Sequence, residues 1–247
     1  MSRQRLLVAA GCAAFLVFLA ILVPAPLLLR WLPAGITANG LEGTIWSGRA
    51  QSVGVGGRTI GAVAWSCRPW RLVVLEWSCR LELQPPDGEL SVALSGGFDG
   101  PLQGRDLAGS LAIEQFQGIG VPTGWTGHLE LDVARLVIAG GLPVEAEGRL
   151  FVRELKAPGP DGAKLGDFEL IIGEGAVGTR ALTGRLRDLG GPLRVRGTVE
   201  LKEGRSYLLT GEVAPGPGAG EDIFDTLAFL GPPDSLGRRP FTVEGTL

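Results

Sequence analysis

From Ser91 onward the chain repeats a short unit, a glycine followed by alternating apolar and polar positions. It shows as Gly109-Ser110-Leu111-Ala112-Ile113, Gly127-His128-Leu129-Glu130-Leu131, Gly148-Arg149-Leu150-Phe151-Val152 and Gly166-Asp167-Phe168-Glu169-Leu170. It continues as Gly184-Arg185-Leu186, Gly197-Thr198-Val199-Glu200-Leu201, Gly211-Glu212-Val213 and Gly245-Thr246-Leu247. Period two with one apolar face marks a half-buried strand, and starts roughly 13 to 21 residues apart suit antiparallel neighbours joined by turns. The pattern predicts earlier strands at Thr44-Ile45-Trp46, over Arg58–Arg68 and over Leu72–Leu83. The last of these places Leu75, Trp77, Cys79, Leu81 and Leu83 on one face, with Glu76, Ser78, Arg80 and Glu82 on the other. Asn39-Gly40 and Pro69-Trp70 read as turns, and Ala157–Gly162 and Ala214–Gly220 as loops. A helical period appears once after the N-terminal region. Over Glu221–Leu230 it sets Ile223, Leu227 and Leu230 on one stripe with Phe224 beside it, between an acidic start and Gly231-Pro232-Pro233. This helix is expected to cover one end or face of the sheet.

One stretch stands apart from this alternation. Leu6 to Val23 carries no charged side chain over about 18 residues, the lower end of what spans a bilayer as a helix. A helix is the single-segment structure that satisfies its own backbone in hydrocarbon. Arg3 and Arg5 precede the segment, and positive charge there is expected to hold the N-terminus in the cytoplasm and carry the chain after Arg30 across the membrane. A cleaved secretory signal shares the basic start and apolar middle. Pro24 and Pro26 disfavour cleavage directly after the segment, so a retained anchor is the expectation. The division expected is therefore 1–30, cytoplasmic tail and transmembrane anchor, and 31–247, a periplasmic β-rich domain. The fold class expected is mainly β: one N-terminal transmembrane helix, then a curved antiparallel sheet, open-barrel or sandwich-like, with one short helix near its C-terminal end.

Composition narrows the function. The chain has 23 basic and 26 acidic residues; with Arg3, Arg5 and Arg30 set aside, 20 basic face 26 acidic side chains, a net charge of −6. That balance excludes nucleic acid as the expected partner, since such binding rests on a basic patch displacing phosphate counterions. A glycine count of 40 and a proline count of 17 mean many turns, while a hydrophobic fraction of 45% is too high for disorder.

Candidate chemistry is sparse. The lone histidine, His128, shares a strand face with Glu130 and Asp132, a polar face that suits a solvated residue better than a metal ligand. Glu145/Glu147 and Glu200/Glu203 are the carboxylate pairs nearest to an acid–base arrangement, and solvated strand faces explain them as well. Gly54-Val55-Gly56-Gly57 lacks the Lys-Ser/Thr of a phosphate-binding loop. The expectation is a protein that is not an enzyme, with no catalytic residue, cofactor or metal. Trp65-Ser66-Cys67-Arg68 recurs as Trp77-Ser78-Cys79-Arg80. In an oxidising compartment Cys67 and Cys79 are expected to form a disulfide, with two buried free thiols as the alternative. Cys12 lies in the apolar segment.

A set of short motifs in order along the chain resembles the type II secretion system protein N (general secretory pathway protein N) family. They are Gly43-Thr44-Ile45-Trp46-Ser47-Gly48-Arg49-Ala50, then Trp65 with Arg68-Pro69, and later Gly204-Arg205-Ser206-Tyr207, Leu227-Ala228-Phe229-Leu230-Gly231 and Gly245-Thr246-Leu247. The residues matching the family pattern are Gly43, Thr44, Trp46, Gly48, Trp65, Pro69, Tyr207 and Gly231. The resemblance implies an inner-membrane, single-pass, periplasm-facing accessory part of the machine that exports folded proteins, neither ATPase nor pore. Its partners would be other secretion-system proteins and the inner membrane, with a homo-oligomer or lipid contact left open. The alternative is an AsmA-like lipid-handling protein, also anchored once and built on a curved sheet. An apolar face open along one side would favour lipid, and a face closed by the Glu221–Leu230 helix a packed core.

Overall fold

The computed structural model describes residues 7, 11, 15, 18–19, 21–30, 32–97, 100–117, 121, 123–159, 162–173, 182–201 and 206–246. Within them run β1 (Ile36–Gly43), β2 (Ser47–Val55), β3 (Arg58–Cys67), β4 (Glu76–Gln84), β5 (Gly88–Gly97), β6 (Leu102–Ala112), β7 (Thr126–Ala139) and β8 (Leu142–Lys156). There follow β9 (Lys164–Ile172), β10 (Leu182–Asp188), β11 (Leu193–Leu201), β12 (Ser206–Pro215), helix α1 (Glu221–Ala228) and β13 (Arg239–Thr246). The fold is mainly β, as the alternation predicts. Strand order in the sheet is sequence order, so among the described residues β1 and β13 have one strand neighbour each. Registered pairs such as β7 with β8 and β11 with β12 are antiparallel, as short turns between neighbours require.

The chain forms two compact units. The first comprises Met1–Pro86 with Ala93–Phe98, the second Asp87–Val92 with Asp99–Leu247. The second unit carries a core in which Phe168 of β9, Val195 of β11 and Val213 of β12 meet Ile223 and Leu227 of α1. Val152, Leu186 and Phe241 pack around them. In the first unit the fully buried apolar side chains among the described residues are two alanines, Ala25 and Ala50. Of its larger apolar residues, Leu41, Val63, Trp65 and Leu81 are half-buried, while Trp70, Val73, Val74 and Leu75 are exposed.

Several local expectations are corrected. Thr44-Ile45-Trp46 is the turn joining β1 to β2, not a strand. The Thr44 hydroxyl accepts hydrogen bonds from the Trp46 and Ser47 backbone N–H groups at 3.2 and 3.1 Å, so local bonding replaces ladder bonding. Asn39-Gly40 lies inside β1, and the reversal comes four residues later, after Gly43 at φ +92°. Leu72–Leu83 is not one strand. Pro69–Val74 is a 3-10 turn, Leu75 sits in the left-handed region at φ 58°, and β4 begins at Glu76. Leu72-Val73-Val74-Leu75 does not alternate, so it has no single face to bury as a strand. The late helix is shorter than expected, ending at Ala228, and its buried stripe is Ile223 and Leu227; Phe224 and Leu230 are exposed.

The expected anchor, Leu6–Val23, falls largely outside the described residues. Of those described within it, Leu7, Gly11, Phe15, Phe18, Leu19 and Ile21 are helical and exposed, Leu22 is an exposed turn residue and Val23 is half-buried outside any element. Among the described residues no helix is long and apolar enough to cross a membrane.

Candidate functional site

The first unit concentrates the family-pattern residues at one end. Gly43 pairs with Gly48 across the mouth of the β1–β2 turn. A Cβ on Gly48 would meet the Glu42 carbonyl oxygen and the Trp65 ring at 2.6 Å. Trp65, the partner of Gly48 on β3, therefore lays its indole where a side chain would stand. Its Nε1–H donates to the Thr44 carbonyl oxygen at 3.1 Å. The turn is thus pinned from inside by Thr44 and from β3 by Trp65.

The same end ties in the chain that leaves the apolar segment. The Ile45 N–H donates to the Val23 carbonyl at 3.0 Å, and Pro24 forms a bridge with Thr44. The Cys67 N–H donates to the Trp46 carbonyl at 2.6 Å. Cys67 and Cys79 stand opposite each other on β3 and β4, joined as a disulfide with S–S 2.04 Å. The bond closes the base of the Pro69–Val74 turn, where Pro69 occupies the first turn of the 3-10 helix. Beyond that base Trp70, Val73, Val74 and Leu75 are exposed.

On the inner face of this unit an apolar trough of about 310 Å³ is lined by Leu28, Leu41, Ile45, Val63, Trp65 and Leu81, among others. Among the described residues no polar group converges on it, so it can take hydrocarbon but offers little to orient a polar substrate.

In the second unit Tyr207 of β12 repeats the Gly48–Trp65 arrangement. It pairs with Gly245 of β13, where a Cβ would fall 2.5 Å from the phenol ring. Gly231, at φ +91°, ends the stretch after α1, and its carbonyl accepts from Arg239 Nε at 2.9 Å. That bond holds the exposed Phe229 and the loop after α1 near the start of β13, whose outer backbone edge has no strand partner among the described residues.

Charges form short surface pairs: Arg49 with Glu42 at 2.7 Å, and Arg238 with Asp234 and Glu212 at 3.0 and 2.8 Å. The Arg49 hydrogen bond holds the Glu42 carboxyl below its ordinary pKa. Asp234 is held low chiefly by the Arg238 backbone N–H, with Leu236 N–H and the Arg238 side chain adding to it. One ion pair was not legible in the sequence. Glu169 of β9, 2% exposed, is bound by the Arg187 guanidinium from β10. The alternation puts Glu169 on the polar face, and only the strand pairing that brings Arg187 beside it reveals the contact.

The residues weighed for catalysis are dispersed. His128 is exposed on β7 opposite Ala112 and Arg153. Glu145 pairs with Arg135 at 3.0 Å on the surface; Glu147 and Glu200 are exposed on β8 and β11, and Glu203 lies outside the described residues. Gly56-Gly57 makes the β2–β3 turn. Among the described residues no cluster of three or more His, Cys, Asp or Glu is placed to hold a metal ion.

The architecture is thus an open strand ladder with motif residues at turns and aromatic–glycine contacts. Residues 34–242 match the family model described as Type II secretion system (T2SS), protein N. The chain belongs to the type II secretion system protein N family. A type II secretion system protein N from Aeromonas hydrophila is 27% identical over 269 residues, covering 99% of this chain and 100% of that one. One from Aeromonas salmonicida is 40% identical over 47 residues, 19% of this chain and all of the relative. No solved structure matches. The family carries a role in protein secretion. Residues missed in sequence are the exposed Trp70–Leu75 loop and the Phe229/β13 corner; the failure of Leu72–Leu75 to alternate was the available signal for the first.

Proposed function

We propose that the chain is a non-enzymatic accessory component of the type II secretion machinery, held in the inner membrane by Leu6–Val23 with residues 31–247 in the periplasm. The observation that carries this reading is the family match over nearly the whole of that region. The contacts it makes are with other secretion components, and the free edge of β13, beside exposed Phe229 and Val243, supplies the means. An unpaired edge accepts an added strand through backbone hydrogen bonds, while flanking apolar side chains give the contact area.

A photo-reactive residue at Val243, activated in native membranes, tests this. A crosslink to an identified secretion component is the expected product. A second reading, the AsmA-like lipid handler, is favoured by the apolar trough of the first unit. Phospholipid captured from a photo-reactive residue at Leu81, together with no secretion protein at Val243, would reverse the order of the two.

A further inference from the structure

The loop between β3 and β4 carries an apolar surface that the fold leaves uncovered. Trp70, Val73, Val74 and Leu75 are 66%, 86%, 66% and 70% exposed. Apolar side chains left in water forgo the gain of burial, so a contiguous run held outward marks a contact surface. The run is held outward rigidly. The disulfide closes its base, Arg68 N–H donates to the Ser78 carbonyl at 2.9 Å, and Leu75 N–H to the Leu72 carbonyl at 3.0 Å.

Its position limits what it can touch. Cys67 is bonded to Trp46 in the β1–β2 turn, and that turn is bonded through Ile45 and Thr44 to Val23 and Pro24. The loop therefore leaves the first unit at the end where the chain emerges from its long apolar segment. Leu22, Leu27 and Leu29 are exposed there as well. The local charge is opposite in sign to the rest. Between residues 68 and 80 stand Arg68, Arg71 and Arg80 against Glu76, which pairs with Arg71 at 3.0 Å, while the rest of 31–247 carries 17 basic against 25 acidic residues. Exposed tryptophan and aliphatic side chains with arginines at their base match a bilayer surface: rings and aliphatics at the acyl boundary, guanidinium groups among anionic headgroups.

We propose that Trp70–Leu75 seats in the outer leaflet of the bilayer that Leu6–Val23 crosses, giving the domain a second, reversible attachment to phospholipid. The proposal rests on the anchor reading under Proposed function. Two attachments at one end would fix the tilt of the first unit against the membrane and aim its strands away from the lipid.

The test uses the full chain in native membranes, with a photo-reactive residue at Val73 and a control at Val243. The expected result is a phospholipid adduct at Val73 and none at Val243. With the probe moved to Leu75, Val73→Glu and Val74→Glu together should lower the adduct about tenfold, since two carboxylates at the interface oppose insertion by more than the 1.4 kcal/mol that tenfold represents. Both positions are exposed, so these changes leave the fold intact. A protein adduct at Val73, or none while the chain resists carbonate extraction and its domain is cut by protease added outside, overturns the loop contact and leaves the anchor standing. Release by carbonate overturns both.

Discussion

The two units use one strand pattern to different ends. In the second, α1 presses Ile223 and Leu227, each 3% exposed, onto β9, β11 and β12 and seals the apolar face as a core. In the first, among the described residues, no α-helix seals the face, and Leu41, Ile45, Val63 and Leu81 line an open trough together with Leu28 of a short 3-10 helix, Ala25–Arg30. Alternation guarantees an apolar face, but what covers that face is a separate choice made by other segments. Here one unit is closed by its own chain, while the other is stabilised by a disulfide, a pinned turn and half-buried contacts.

The comparison breaks first if the two faces respond alike to truncation. Leu227→Ala should lower stability by about 2–5 kcal/mol, the range for a leucine removed from a packed core. Leu81→Ala in the trough should cost less, about 1 kcal/mol, because Leu81 is only partly buried. Chemical denaturation, with hydrogen exchange assigning the loss to each unit, reads the difference; equal effects would mean the trough is a core after all.

Replacing both cysteines, Cys67→Ser with Cys79→Ser, should destabilise the first unit by about 3 kcal/mol on the chain-entropy account of so short a loop. Thiol labelling with and without reductant establishes whether the bond forms in the cell, and full labelling before reduction would remove one support for the periplasmic placement. In the second unit Arg187→Ala strands the buried Glu169 carboxylate, an expected loss of about 2 kcal/mol that Glu169→Gln in the same chain should partly restore. Trp65→Phe keeps the ring over Gly48 but loses the hydrogen bond to Thr44, so the first unit should weaken by about 1 kcal/mol in a thermal melt.

The smallest effect is in pH. Asp234 is depressed in the folded state, so the stability it adds is present above its unfolded value, near 4, and is lost as pH falls through the lower folded value. Because the group is exposed, the expected sign is local. Exchange should rise at the Leu236 and Arg238 amides below that range in the wild type, and at neutral pH in Asp234→Asn.

Much of this was readable along the chain. Glycine-led alternation through Gly109, Gly127, Gly148, Gly166, Gly184, Gly197 and Gly211 predicted the strands that formed, and the acidic start and Gly-Pro-Pro stop bracketed α1 to within two residues. Turns were less legible. Thr44-Ile45-Trp46 has strand-prone residues, yet the Thr44 hydroxyl bonds its own neighbours, and side-chain capping of that kind outweighs propensity in a segment so short.

What the sequence determined by itself was the faces of the strands, because a period of two fixes which side chains share a side whatever their neighbours do. It also carried the family, through motif order. Only the tertiary structure decided that Trp65 lies over Gly48 and Tyr207 over Gly245, that Arg187 reaches Glu169, and that Trp70–Leu75 stays outside. Those outcomes depend on register between strands and on which segments return to cover a face, and neither leaves a mark in the local order of residues.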